Sequence, residues 1–518
     1  MPRTPVMSDY PDSVAFLGQW GRFQQVVFFL LCASIVPNGF GAFNLVFLTD
    51  APGFRLDVVR NLSAQGLVPG RDVNLTDLEQ EGCVDGWSYS RDVYQSTIVS
   101  EFDLVCSEQW KLTFISTVFF VGVLLGSFFS GQLSDRFGRK PVLFLTMGVQ
   151  MVFTFIQVFS TSWIMFTVLL FINGLGQISN FVAALVLGTY ERGFLFQFYH
   201  RATDMLTVFV FFTLGYMMLP GCAYLLRDWT SLLLALSLPC LAYLPLWWFI
   251  PESPRWLLSQ GRVEEAESIV RKAAKWNKVQ APLVIFQDYT TDLKENPNAF
   301  DLLRTSSIRI TTLLLCLVTF ATCTGYYGLS FNTSQLHADP YMSCFISAAV
   351  EVPAYISGWL VLRYFPRRRS ICCSLLLQAV SLFLIQLVPQ TLPYLSIALE
   401  MLAKYFVTIT FSMMFAYIAE LYPTLLRNTA VGVCSTFGLL NLIPPSLESI
   451  FSHAYISLPS ESPFVDTYVL HLPYIIIGTL GCVAALAALY IPESFGQPLP
   501  ETIQQMHKRE RWALYTEF

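Results

Sequence analysis

Charge is what this sequence lacks. Of its 518 residues only 13% are Asp, Glu, Lys or Arg, about half the roughly one-quarter share of soluble domains. A chain so poor in charge cannot dress the surface of an ordinary cytosolic enzyme, so composition overrides the several soluble domains that length alone would suggest. The 31 basic and 36 acidic residues leave a net charge of -5, with no basic excess to hold nucleic acid. Histidine is scarce, at five residues, and no Cys/His cluster has metal-ligand spacing. No nucleophile–base–acid set appears either. The expectation is a protein that is not an enzyme and has no cofactor or metal centre.

What abounds is apolar. Hydrophobic residues make up 54% and aromatic residues 15%, and the mean hydropathy is +0.52. Apolar stretches recur at 22–48, 112–132, 141–159, 162–188, 204–226, 229–250, 308–331, 340–364, 371–388, 393–421, 429–447 and 471–491. A hydrocarbon core of ~30 Å takes ~20 helical residues to cross, and a helix satisfies its own backbone there. The pattern predicts an all-α membrane protein of twelve helices. The first stretch is too long for a cleaved signal peptide, lacks an early cleavage site and follows a polar amphipathic segment.

Basic residues set the orientation. Arg136, Arg139 and Lys140 follow the second span, eight Lys and Arg residues fall in 251–307, and Arg367, Arg368 and Arg369 follow the eighth. Both termini are therefore expected in the cytosol and the loop 49–111 outside. That loop carries glycosylation sequons at Asn61 and Asn74, and its only cysteines, Cys83 and Cys106, are the natural disulfide pair. The chain then divides into a cytosolic terminus (1–21), a first six-helix half (22–250), a cytosolic connector (251–307), a second half (308–491) and a cytosolic tail (492–518). Two six-helix halves around a central cavity is the layout of major facilitator transporters.

Motifs at the cytosolic helix ends repeat one device. Gly131-Gln132-Leu133-Ser134-Asp135-Arg136-Phe137-Gly138-Arg139-Lys140 follows the second span, and Pro251-Glu252-Ser253-Pro254-Arg255 the sixth. Glu420 to Arg427 and Asn428 follow the tenth, and Pro492-Glu493-Ser494 the twelfth. In each an acid stands within reach of a helix N-terminus or an arginine, a charge latch made of Asp135, Arg136, Arg139, Glu252, Arg255, Glu420, Arg427 and Glu493.

Here the chain resembles the organic ion transporters of the solute carriers, and most of all the organic cation/carnitine subgroup. The resemblance runs through Ala15-Phe16-Leu17-Gly18-Gln19-Trp20-Gly21, Pro37-Asn38-Gly39-Phe40, Leu67 to Val73, the 131–140 motif, Gly176-Gln177-Ile178-Ser179-Asn180 and Val350 to Tyr355. It implies alternating-access uptake of small organic cations or zwitterions across the plasma membrane, with sodium as a candidate coupling ion and no other cofactor.

Charges inside spans are expensive and default to functional candidates. Glu351, in the eighth span, suits a cationic substrate or sodium, and equally an interhelical partner. Lys404, in the tenth, suits an anionic group, but Glu400 one turn earlier is placed to neutralise it. Asn38, Gln177 and Asn180 offer neutral oxygens for a substrate headgroup, with Gln177 and Asn180 the sodium candidates. Their alternative is polar packing between helices. Tyr326, Tyr327 and Tyr417 are of the type that cages a quaternary ammonium. The terminal Thr516-Glu517-Phe518 suits strand addition to a PDZ-domain protein.

Two departures from the resemblance matter. The segment 190–203 does not carry the family's Glu-x-x-Gly-Lys-Ser stretch, and Ser435-Thr436-Phe437-Gly438-Leu439-Leu440 has no arginine where relatives place one for a substrate carboxylate. The second departure points toward simple cations over carnitine. Two alternatives stay open: a sugar porter, which shares the latch motifs, and a non-transporting receptor or regulatory partner on the same fold.

Overall fold

A computed structural model of the chain describes residues 13–18, 21–52, 54–56, 87–189, 197–243, 245–286, 306–331, 339–389, 392–422, 427–440 and 463–495. Its first half contains α1 (Arg22–Leu48), α2 (Trp110–Phe137), α3 (Arg139–Gln157), α4 (Trp163–Thr189), α5 (Gln197–Leu226) and α6 (Trp229–Leu241). Its second contains α7 (Ser306–Phe331), α8 (Pro340–Tyr364), α9 (Arg367–Ile385), α10 (Pro393–Leu421), α11 (Arg427–Leu439) and α12 (Pro463–Leu489). Helices Pro254–Ser259 and Val263–Asn277 lie in the connector. A two-stranded ribbon, Phe54–Leu56 against Trp87–Tyr89, is a small addition to the all-helical expectation. Among the described residues nine helices are long and apolar enough to cross a membrane, and α4 and α6 add the shorter apolar stretches Trp163–Gln177 and Trp229–Pro239.

Proline accounts for two departures from the expected spans. α1 is interrupted at Ser34–Ile35, where Pro37 has no N–H to donate and the Asn38 N–H instead reaches the Ile35 carbonyl at 2.9 Å. The expected sixth span, 229–250, ends as a helix at Leu241 and resumes only as Leu246–Phe249, because Pro239 and Pro245 fall close together. α11 ends at Leu439, before the expected limit at 447; Pro444 and Pro445 lie outside the described residues.

The packing has a hidden symmetry. In the first half α1 packs on α5, α2 on α4, α3 on α4 and α3 on α6. In the second α7 packs on α11, α8 on α10, α9 on α10 and α9 on α12. Adding six to each label turns the first set into the second. The halves meet along α5–α8 and α2–α11, two seams that the same operation exchanges. A pseudo-twofold axis therefore runs between two structural repeats, with a central space bounded by both.

Close crossings hold each repeat together. A Cβ on Gly39 (α1) would stand 2.0 Å from the Phe212 carbonyl oxygen, and one on Gly215 (α5) 2.1 Å from that of Val36. Only glycine lets these backbones approach, which is how helices associate where burial against lipid gives little driving force. Large apolar side chains such as Leu145, Phe159 and Leu384 face outward, as a lipid-facing surface requires.

Candidate functional site

Helical spacing places the site on the seam. Phe209, Thr213 and Tyr216 recur at i, i+4 and i+7 along α5, and Ser347, Glu351 and Tyr355 at i, i+4 and i+8 along α8, so each trio shares a face. Packing α5 on α8 brings these faces together. Glu351 and Lys404 are both fully buried, and the Lys404 Nζ lies 3.3 Å from Glu351 Oε1. Thr213, from the other half, donates to Glu351 Oε2 at 3.0 Å. Lys404 also donates to Ser347 Oγ. Its ammonium lies 4.9 Å from the centre of the Tyr216 ring and 5.9 Å from that of Tyr326. One carboxylate and two aromatic faces thus surround the protein's own buried ammonium.

Aromatic layers flank this pair on both sides. Toward the loop after α1, Phe43 stacks on Tyr216 at 3.9 Å, with Tyr327 and Phe331 around it at 6.4 and 5.7 Å. Toward the connector, Phe209 stacks on Tyr355 at 4.9 Å and meets Phe411 and Phe415. Each layer takes residues from both halves. A motion that parts the halves must open one layer or the other to reach Glu351.

The loop-side mouth is closed by a further contact. Tyr341, at the start of α8, donates to the Val93 carbonyl at 3.0 Å and packs against Phe47, Tyr94 and Tyr224 of the first half. Two aspartates fasten this region. Asp50 accepts a 2.7 Å bond from Tyr94, and burial raises its carboxyl above the usual aspartate range despite that bond and one from the Ala51 backbone. Burial also pushes Asp228 upward, but bonds from Ser96, Thr230 and Ser231 outweigh it and hold the carboxyl low.

The charge motifs close within each half. Glu252 accepts from the backbone N–H groups of Arg139 (3.1 Å) and Lys140 (3.3 Å), capping α3. Glu493 does the same for Arg367 (2.9 Å) and Arg368 (3.1 Å) at α9. Glu420 lies 3.3 Å from Arg367 Nε and accepts from Ser494. Buried Arg139 also donates to Ser253, at 3.4 Å. Arg136 lies exposed beside the Phe137 ring. The side chains of Asp135, Arg255 and Arg427 lie outside what the structure describes.

Three further placements bear on the expected site. Lys404 turns to Glu351 on the neighbouring helix, whereas Glu400 accepts a 2.9 Å bond from Tyr474; interhelical packing overrides the expected i,i+4 pairing. Tyr417 stands apart from the pair: its hydroxyl donates to the Pro492 carbonyl at 2.7 Å, and its ring packs in the second half's core. Gln177 donates to the Asn38 carbonyl at 3.2 Å, so these two residues meet inside the first half. The Asn180 side chain, Asn61, Asn74, Cys83 and the 516–518 tail fall outside the described residues, and with Cys83 goes any view of its pairing with Cys106. Thr213, Tyr216, Phe209, Ser347 and Phe411 were not anticipated; the i, i+4, i+7 stripe on α5 was the available signal.

Comparison with known proteins agrees with this architecture. The profile of the Major Facilitator Superfamily matches residues 109–440 and 342–513. The chain is 48% identical to the rat organic cation/carnitine transporter 2, over 96% of its own length and 94% of the relative's. It is 45% identical to mouse solute carrier family 22 member 4, over 97% and 95% of the two chains. Among solved structures, the partially occluded inward-open xylose transporter XylE from E. coli superposes with a TM-score of 0.64 at 16% identity, covering 92% of this chain and 100% of that one; at that identity the likeness concerns the fold alone. The chain belongs to the Major Facilitator Superfamily and, within it, to the solute carrier 22 family of organic cation/carnitine transporters.

Proposed function

We propose that this protein is a plasma-membrane secondary transporter of small organic cations or zwitterions of the carnitine type, working by alternating access with both termini in the cytosol. One observation carries the reading: a buried carboxylate paired with a tethered ammonium, between aromatic layers, on the seam between the halves. An incoming cation takes the place of Lys404 against Glu351 and the ring of Tyr216. Sodium, if it couples, is assigned to the polar groups of Asn38, Gln177 and Asn180. In this reading 1–21, 251–307 and 492–518 are cytosolic, Asn61 and Asn74 carry glycans outside, and the tail offers a PDZ ligand.

Because Ser435 to Leu440 lacks an arginine, simple cations are expected to outrun carnitine. The test is uptake of carnitine, tetraethylammonium, ergothioneine and glucose into vesicles carrying the purified chain, with and without sodium. Tetraethylammonium uptake abolished by Glu351→Gln is the expected result. Sodium-stimulated carnitine uptake at the rates of the relatives would overturn the cation preference. Glucose uptake without cation uptake would make the protein a sugar porter, and substrate-dependent stabilisation without flux would make it a receptor.

A further inference from the structure

The connector is fastened to the membrane-entry end of α1 in a specific way. Asn277, the last residue of helix Val263–Asn277, accepts from the Phe23 backbone N–H at 3.0 Å and donates to Gln24 Oε1 at 2.8 Å and to the Leu17 carbonyl at 3.3 Å. Gly21 makes room for it, since a Cβ there would lie 2.0 Å from Asn277 Nδ2. The end of a polar helix is thus pinned beside the first residues of a membrane span. Trp276 packs edge-on against Phe23 at 5.9 Å while remaining 46% exposed.

That end is also where the helix is basic. Glu264, Glu265 and Glu267 sit in its first turns, with Glu265 and Glu267 bridged to Arg262 and Arg271. Lys272, Lys275 and Lys278 follow, all exposed. Lys272 and Lys275, three apart, are neighbours on the helix surface, and Lys278 caps its end in the left-handed conformation. A favourable helix dipole explains one or two basic residues at a C-terminus. It does not explain why this helix lies against α3, where Ala273, next to Lys272, shares a buried apolar cluster with Leu143 and Phe144, near Lys140. The carboxylate nearest Lys140 is Glu252, whose oxygens already accept the N–H groups of Arg139, Lys140 and Ser253. The Lys140 ammonium stands 4.7 Å above the Trp247 ring, and the neighbouring Trp248 is 75% exposed. Tryptophans of this kind mark the headgroup level of a bilayer.

We infer that Lys140, Lys272, Lys275 and Lys278, with Trp247 beside Lys140 and Trp276 among the lysines, form a binding site for the headgroup of an anionic phospholipid. With the orientation proposed above, that lipid belongs to the cytosolic leaflet. The bilayer is the natural source: the row of lysines starts at a span's entry, and the tryptophans supply the depth. Bound there, the lipid holds the connector against the first half, because both α3 and the connector helix contribute to its site.

The test uses the full-length protein in nanodiscs of phosphatidylcholine alone or with phosphatidylserine, and reads enrichment of the anionic lipid by mass spectrometry after mild delipidation. Each lysine near a lipid surface is worth about a fivefold preference. Lys272→Gln/Lys275→Gln/Lys278→Gln is therefore expected to lower phosphatidylserine enrichment by on the order of a hundredfold, and the corresponding triple arginine variant to retain it. Raising salt weakens the wild-type preference and barely moves that of the glutamine variant. Glycerophosphoserine free in solution at equal concentration is expected not to compete; effective competition would reassign the site to a soluble phosphate. Equal enrichment in wild type and glutamine variant would overturn the inference. Vesicle transport is measured in parallel, so failure here is distinguishable from failure of the substrate reading at Glu351.

Discussion

Removing either half of the buried ion pair tests the site more sharply than removing both. At 3.3 Å and an effective dielectric of about 20, the attraction between Glu351 and Lys404 is about 5 kcal/mol. Desolvation of both groups offsets most of it, so the pair as a whole contributes little net stability. Deleting one member leaves the other charged, fully buried and uncompensated, at a cost of about 3–5 kcal/mol. Glu351→Gln and Lys404→Met are each expected to destabilise the protein by that amount, and the double variant to return within about 1 kcal/mol of wild type. The coupling is then about 5 kcal/mol or more, read from the melting of purified protein in nanodiscs of one lipid composition.

Substrate separates the two single variants. If a cation replaces the Lys404 ammonium, tetraethylammonium rescues Lys404→Met, where the carboxylate is free, and not Glu351→Gln. At a hundred times its dissociation constant the ligand restores about 2.7 kcal/mol. The double variant recovers its fold but not its uptake. Additive effects, with coupling below about 0.5 kcal/mol, would refute the pairing. Equal rescue of both single variants would refute Glu351 as the cation's anchor.

Other consequences follow from single contacts. Gly39→Ala or Gly215→Ala drives a methyl group to about 2 Å from a backbone oxygen and is expected to cost about 1–3 kcal/mol. Gly148→Ala, with nothing within 4 Å, is expected to gain about 0.5–1 kcal/mol; melting of the three variants checks both signs. Glu252→Ala and Glu493→Ala each strip a helix cap and are expected to cost about 1 kcal/mol apiece, nearly additively because the caps lie in different halves. For Asp50 the folded-state pKa is raised above the unfolded value, so its favourable contribution is present below that value and is lost as pH rises through the folded pKa. Asp50→Asn should therefore stabilise more at about pH 8 than at about pH 5. Asp228, held low, should give the opposite trend: its contribution is present above the unfolded pKa and is lost as pH falls through the folded one. Thermal melts across that range check Asp50, and melts carried below about pH 4 check Asp228.

What could be read from the sequence follows how far each signal reaches along the chain. Hydropathy and loop charge are properties of long runs, and they placed twelve helices; α5 and α12 begin earlier than read, at Gln197 and Pro463, and prolines such as Pro37, Pro239 and Pro245 break two runs. A charge inside an apolar run is equally visible, so Glu351 and Lys404 stood out. Their pairing did not, because spacing along one helix favours Glu400 for Lys404, while the contact that forms spans 53 residues of sequence and depends on how α8 packs on α10. Aromatic residues fail for a related reason: at 15% of the chain every helix carries several, and composition does not say which face meets a neighbour. Tyr417 and Tyr216 look alike in sequence, yet one packs in a half's core and the other lies beneath an ammonium. The face pattern could have separated them. Phe209, Thr213 and Tyr216 share a buried stripe on α5, and the +6 symmetry that pairs α5–α8 with α2–α11 makes the facing stripes of α5 and α8 a seam between the halves. Reading helix faces through that repeat, before reading residue types, singles out α5 as half of the site.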